Sequence, residues 1–145
     1  MRRQIQQLVA ASVDTVTEIV ADVEMYPSWI DAVTEATPVD EKRTAVVISG
    51  RLGPFTRSKR LVMRTTVTSA GDGHTVTVRR DEGPGHGNWT LEWTLTGESG
   101  GTNVLATLDY DGRWWVPEQL GMVLDAVVDD ARHGLINEVA RRDGR

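Results

Sequence analysis

The stretch Trp89-Thr90-Leu91-Glu92-Trp93-Thr94-Leu95-Thr96 carries a bulky apolar side chain at every odd position and a polar one at every even position. Successive side chains of an extended strand point to opposite faces, so this pattern describes a strand with one buried and one wet face. Beyond the glycine-rich turn Gly97 to Gly101, the series Val104, Ala106, Leu108 and Tyr110 repeats the alternation, and Leu61, Met63, Thr65 and Val67 repeat it more weakly. From Val33 to Asp111 the chain runs in β-branched segments of six to ten residues, broken by turns such as Gly71-Asp72-Gly73. Several antiparallel strands sharing one apolar face are the expected product, a β meander.

An apolar sheet face needs a cover. Pro117 opens a stretch reaching about Arg142 with Leu120, Leu124, Val127, Val128, Ala131, Leu135 and Val139 on one side, the pattern of a long amphipathic helix. At 1.5 Å per residue it would reach about 39 Å, enough to cross a sheet of ordinary strands. Gly121 and Gly134 weaken such a helix by roughly 1 kcal/mol each relative to Ala, so they mark close approach to the sheet or space left for something else. At the other end, Gln4 to Ala10 reads as a first strand. A helix follows to Asp22, capped by Ser12 or Asp14 and carrying Val13, Val16, Ile19 and Val20 at helical spacing. A second short helix is expected over Tyr26 to Ala32, with Pro27 in its first turn.

With 145 residues, 39% of them hydrophobic, the chain suits a single domain spanning 1–145 that buries its own core. Sixteen Lys and Arg against 21 Asp and Glu leave a net charge of −5, which repels the phosphate backbone and argues against nucleic acid as a partner. Without cysteine there is no disulfide framework, thiolate metal site or cysteine nucleophile. The residues after Arg2 and Arg3 alternate polar and apolar instead of forming a secretory core, and apolar runs fall far short of the roughly 20 residues needed to span a bilayer. A soluble, cytoplasmic protein without membrane insertion is expected.

The segment Asp22-Val23-Glu24-Met25-Tyr26-Pro27-Ser28-Trp29-Ile30, set in the order strand, two short helices, meander and long terminal helix, resembles the START-like or SRPBCC superfamily. Val16 to Trp29 is similar to the entry of its polyketide cyclase/dehydrase and coenzyme Q-binding branch, where a helix ends in Asp before a Tyr-Pro-x-Trp turn. The resemblance implies an α+β helix-grip fold: a curved antiparallel β-sheet wrapped around a long C-terminal α-helix, two short helices after strand 1, and a cavity between sheet and helix. Because the superfamily includes lipid carriers, isoprenoid binders and aromatase/cyclases, the expected function is binding, transport or sequestration of a small hydrophobic ligand such as a lipid, isoprenoid or polyketide. A polyketide aromatase/cyclase-type enzyme is the alternative.

The aromatic residues are rich in Trp and Tyr against a single Phe55, and indole and phenol groups suit a ligand pocket better than a dry core. The expected cavity wall is Trp29, Met63, Trp89, Trp93, Tyr110, Trp115, Leu124 and Val128, with Tyr26, His86 and Arg113 as polar cavity or rim groups. His74, His86 and His133 show no metal-ligand spacing and no triad order, so no metal, cofactor or catalytic residue is assigned. Gly83-Pro84-Gly85-His86-Gly87 lacks the Gly-Lys-Ser/Thr of a phosphate loop and reads as a hairpin turn. In the basic cluster Arg57, Lys59, Arg60 and Arg64, alternation with Leu61 and Met63 sends Arg60 and Arg64 to the wet face.

Overall fold

The structure, a computed structural model, describes residues 2–52, 54–71, 73–83, 87–110 and 133–142. Seven strands form one antiparallel sheet: β1 (Arg2–Val9), β2 (Val33–Pro38), β3 (Arg43–Leu52), β4 (Phe55–Ala70), β5 (Gly73–Arg80), β6 (Trp89–Glu98) and β7 (Gly101–Tyr110). Their spatial order is β1-β7-β6-β5-β4-β3-β2, so β2 to β7 are a continuous meander and the first strand closes onto the last. Every strand of the meander was expected within 33–111, and the alternation along β6 governs its burial: Trp89, Trp93 and Leu95 are buried while Glu92 and Thr96 are exposed. On β4 the weaker stripe holds at Leu61 and Met63 but runs out of cover at Val67, which is exposed.

Between β1 and β2 the chain forms α1 (Val13–Ala21) and a 3-10 helix, Val23–Ser28. Ser12 is the N-cap: its Oγ accepts from the Thr15 amide at 3.2 Å, satisfying one of the orphan donors of the first turn. Val16, Ile19 and Val20 are buried against the sheet, with α1 lying over β5 and β6. The second helix differs from expectation. It starts at Val23 directly off the end of α1, is 3-10 in type, and ends at Ser28, so Pro27 lies near its last residue and not in its first turn. The Trp29 and Ile30 amides both bond back to the Tyr26 carbonyl, which closes the turn around the proline.

Residues 133–142 form a helix, α2, within the stretch from Pro117 to about Arg142 expected as one long helix; residues 111–132 lie outside the described residues. Its stripe is as expected, with Leu135 and Val139 buried in the central core. Gly134 marks a close approach, but to the chain after the 3-10 helix and not to the sheet: a Cβ there would stand 1.7 Å from the Trp29 carbonyl oxygen. Glu138 is buried beside this contact and receives bonds from Arg141 at 2.6 Å and Arg142 at 3.1 Å. Burial opposes ionisation of Glu138, and the two guanidinium groups more than offset it, holding the carboxyl below its ordinary value.

The opposite face of the sheet is largely polar, with apolar Ala45, Val47 and Val62 on β3 and β4. Gln4 donates to Thr107 at 3.1 Å and Gln6 to Asn103 at 3.2 Å. Arg43, Arg64 and Arg79 line up on neighbouring strands, an arrangement relieved by the pairs Arg43–Asp40 at 2.8 Å and Arg64–Asp81 at 2.7 Å. Arg60 is exposed on this face too, as expected.

Candidate functional site

The concave face of the sheet and the 3-10 turn enclose an apolar cavity of ≈ 80 Å³, room for several water-sized molecules. Strand register builds its floor. Ile5, Ala106 and Trp93 face one another across β1, β7 and β6, and Leu108, Leu91 and Val78 do so across β7, β6 and β5. Met63 on β4, Val46 and Ile48 on β3, and Val33 at the start of β2 continue the wall, and Val23, Tyr26 and Ile30 close it from the helical side. Among the described residues the wall is almost entirely apolar.

Three of the residues expected in the wall, Met63, Trp89 and Trp93, stand in it, and so does Tyr26, expected as a polar cavity or rim group. Tyr110, expected in the wall, is not among the lining residues: it is buried on the same face beside them, edge-on to Trp89 with ring centroids 4.6 Å apart. Trp29 packs on Tyr26 at 5.3 Å and on Trp93 at 6.1 Å, and it faces a second, polar groove of ≈ 370 Å³ shared with Asp31, His133, Gly134, Glu138 and Arg141. Trp115, Leu124, Val128, His86 and Arg113 lie outside the described residues.

The hydroxyl of Tyr26 is committed to structure. It donates to the Val20 carbonyl and accepts from Trp93 Nε1 at 3.1 Å. Burial pushes its ionisation well above the ordinary phenol range, despite the hydrogen bond from Trp93, so it stays a neutral phenol. By contrast, Trp89 Nε1 is buried and meets no acceptor among the described residues.

Sequence reasoning did not anticipate two cations on the concave face. Lys59 lies opposite Ile48, and Arg80 lies opposite Met63 on one side and level with Trp89 on the other, since Arg79 pairs with Thr90. The Arg80 side chain is only 12% exposed and its Nε donates to Glu82. The signal was available: the parity that turns Arg60 and Arg64 outward turns Lys59 inward with Leu61 and Met63. Likewise Val76 and Val78 carry Arg80 inward.

A Ser–His–Asp chain, for which the sequence shows no triad order, does assemble. His74 Nδ1 lies 2.6 Å from Ser69 Oγ, and its Nε2 lies 3.4 Å from Asp14 Oδ1. It joins the β4–β5 hairpin to the first turn of α1 at the surface, and none of the three lines the cavity. Among the described residues no group of three His, Asp or Glu side chains is placed to hold a metal ion, and no helix is long and apolar enough to cross a membrane.

A seven-stranded antiparallel sheet curved over an apolar cavity, with two short helices after strand 1 and a helix at the C-terminal end, defines the START-like helix-grip class of α+β proteins. The family model for polyketide cyclase/dehydrase and lipid transport matches residues 9–139, and the chain belongs to that family. Among solved structures it is similar to a START superfamily protein from Mycobacterium smegmatis, with 17% identity over 96% of this chain and 97% of that one and a TM-score of 0.69. The Zhui aromatase/cyclase from a Streptomyces species is similar at 17% identity over 98% and 96% of the two chains, with a TM-score of 0.69. A STAR-related lipid transfer protein from Xanthomonas axonopodis shares 18% identity over 92% and 85%, with a TM-score of 0.67. At these identities the likenesses establish the fold. No curated protein matches the chain in sequence.

Proposed function

We propose that this protein binds a small hydrophobic molecule, such as a lipid, isoprenoid or polyketide, in the cavity over the concave face of its sheet. The observation that carries the reading is the apolar space itself. Protein interiors pack as densely as organic crystals, and an empty apolar cavity costs roughly 24 cal/mol per Å³, about 2 kcal/mol for this one. A void walled by Trp89, Trp93, Met63 and Leu108 is tolerated where a ligand fills it. The family, which groups lipid transport with polyketide cyclases, supports the same reading.

Binding without proton transfer is favoured over cyclase chemistry by the state of Tyr26. A cyclase needs a group that delivers or removes a proton at a substrate carbon next to a carbonyl. Tyr26 has its proton on the Val20 carbonyl and its lone pair on Trp93. Titration with the neutral dye Nile red tests the proposal. Saturable micromolar binding to the folded protein, with a blue-shifted dye emission and a change in tryptophan fluorescence, is the expected result. Absence of saturable binding would sink it.

A further inference from the structure

The two edges of the sheet are built differently. β2, at one edge, is short, bulged between Val33 and Glu35, and ends at Pro38, features that discourage pairing with another chain. β1, at the other, keeps unbroken register with β7 from Arg2 to Val9 and contains neither proline nor glycine. Its convex side carries Leu8, which is 55% exposed. On its concave side Gln7 is buried, and neither Oε1 nor Nε2 of its amide has a hydrogen-bond partner among the described residues. From these features we infer that β1 is an interaction edge for a second copy of this chain, with the two β1 strands paired antiparallel about Ile5.

Self-complementarity identifies the partner. A two-fold pairing places the same strand on both sides of the seam. Centred on Ile5, it sets Arg2 opposite Leu8 of the second copy, Arg3 opposite Gln7 of the second copy, and Gln4 opposite Gln6 of the second copy. Directly opposed residues lie on one face with Cβ atoms about 4.5–5.5 Å apart. Each arginine therefore meets an uncharged side chain, and each glutamine an amide or a guanidinium. Arg2 already shares its charge with Asp109 at 3.3 Å, and Arg3 brings a donor to the buried Gln7 Oε1 of the second copy. Gln7 selects this register. Centring on Gln6 would set Gln7 against an aliphatic side chain, Ile5, and a shift of one residue would turn the apolar faces of the two sheets to opposite sides. One strand pair is a small seam, at the low end of protein interfaces, so the association is weak and concentration-dependent.

The inference does not depend on ligand binding. Sedimentation equilibrium from about 1 µM to about 1 mM protein is expected to show reversible dimers at the upper end. Leu8→Lys opposes Arg2 of the second copy with like charge at both symmetry-related positions and should weaken association at least about fivefold, whereas Leu8→Glu should strengthen it by a similar factor. Both substitutions fall at an exposed position, with folding checked by thermal melting. Ile136→Lys changes another exposed apolar residue, on α2, and should leave association unchanged. The chain has no cysteine, so the register is read directly: a mixture of Gln4→Cys and Gln6→Cys should oxidise to a cross-linked heterodimer, with each variant alone giving far less. A chain that stays monomeric throughout overturns the inference. So does a dimer indifferent to both Leu8 substitutions, one that Ile136→Lys weakens as much, or one whose cysteine variants cross-link without preference.

Discussion

Trp93 Nε1 donates to the Tyr26 hydroxyl at 3.1 Å while that hydroxyl donates to the Val20 carbonyl, so one phenol ties the sheet floor, the 3-10 turn and the end of α1 together. Tyr26 and Trp93 both line the cavity, so the shape of the pocket there is fixed by hydrogen bonds as well as by packing.

Tyr26→Phe removes both bonds at nearly constant shape and leaves the buried Trp93 N–H without its acceptor. A loss of about 1–3 kcal/mol in urea unfolding is expected, the cost of an unsatisfied buried donor. Because the ring stays in the wall, Nile red affinity should change little. A variant as stable as the parent would show that the bridge contributes nothing.

Gly134→Ala reverses the usual sign of a helix substitution. Alanine ordinarily favours a helix by about 1 kcal/mol over glycine, yet here the added methyl would stand 1.7 Å from the Trp29 carbonyl oxygen. The expected outcome is a lower melting temperature. An increase would mean that α2 and the Trp29 turn are not in contact in solution.

Glu138 gives a pH signature. Its folded pKa lies below the ordinary 4.5, so its pairing with Arg141 and Arg142 contributes stability above that pH. The contribution fades as pH falls from about 4.5 through the lower folded value. Wild type should therefore exceed Glu138→Gln in stability at pH 7, and the gap should narrow below pH 4.5 in parallel denaturation curves. A gap constant from pH 7 to 3 would contradict the ionised pair.

Ala106 offers a way to fill the cavity from its floor, since it stands between Ile5 and Trp93 and lines the space. Ala106→Leu is expected to lower Nile red affinity at least about tenfold while leaving the melting temperature unchanged or higher, because the new atoms occupy a void. Unchanged dye affinity would place the dye elsewhere on the protein.

Much of this arrangement is legible along the chain because it follows from strand parity. The Trp89 to Leu95 alternation orients β6, and β6 orients its neighbours through register. In Ala45-Val46-Val47-Ile48 both faces are apolar, so parity alone does not say that Val46 and Ile48 face the cavity. The bond from Tyr26 to the Val20 carbonyl depends on the sharp entry into a 3-10 helix at Val23, where the expected second helix began three residues later. The Ser69, His74 and Asp14 chain joins residues 60 positions apart through a fold-dependent contact, and no spacing rule reaches that far. Arg80 was within reach of parity, since Val76 and Val78 carry it inward and leave its tandem neighbour Arg79 outward.

The strand order β1-β7-β6-β5-β4-β3-β2 also sets a timetable for synthesis. β1 leaves the ribosome first, yet its neighbour in the sheet is β7, with Arg2 facing Asp109, so it waits for about a hundred residues before it can pair. Meanwhile the hairpins from β2 to β7 can form in turn as each emerges. Ile5, on this first strand, belongs to the cavity floor. The cavity floor thus needs one late long-range pairing, and a nascent chain that stops short of β7 has a floor with one side missing.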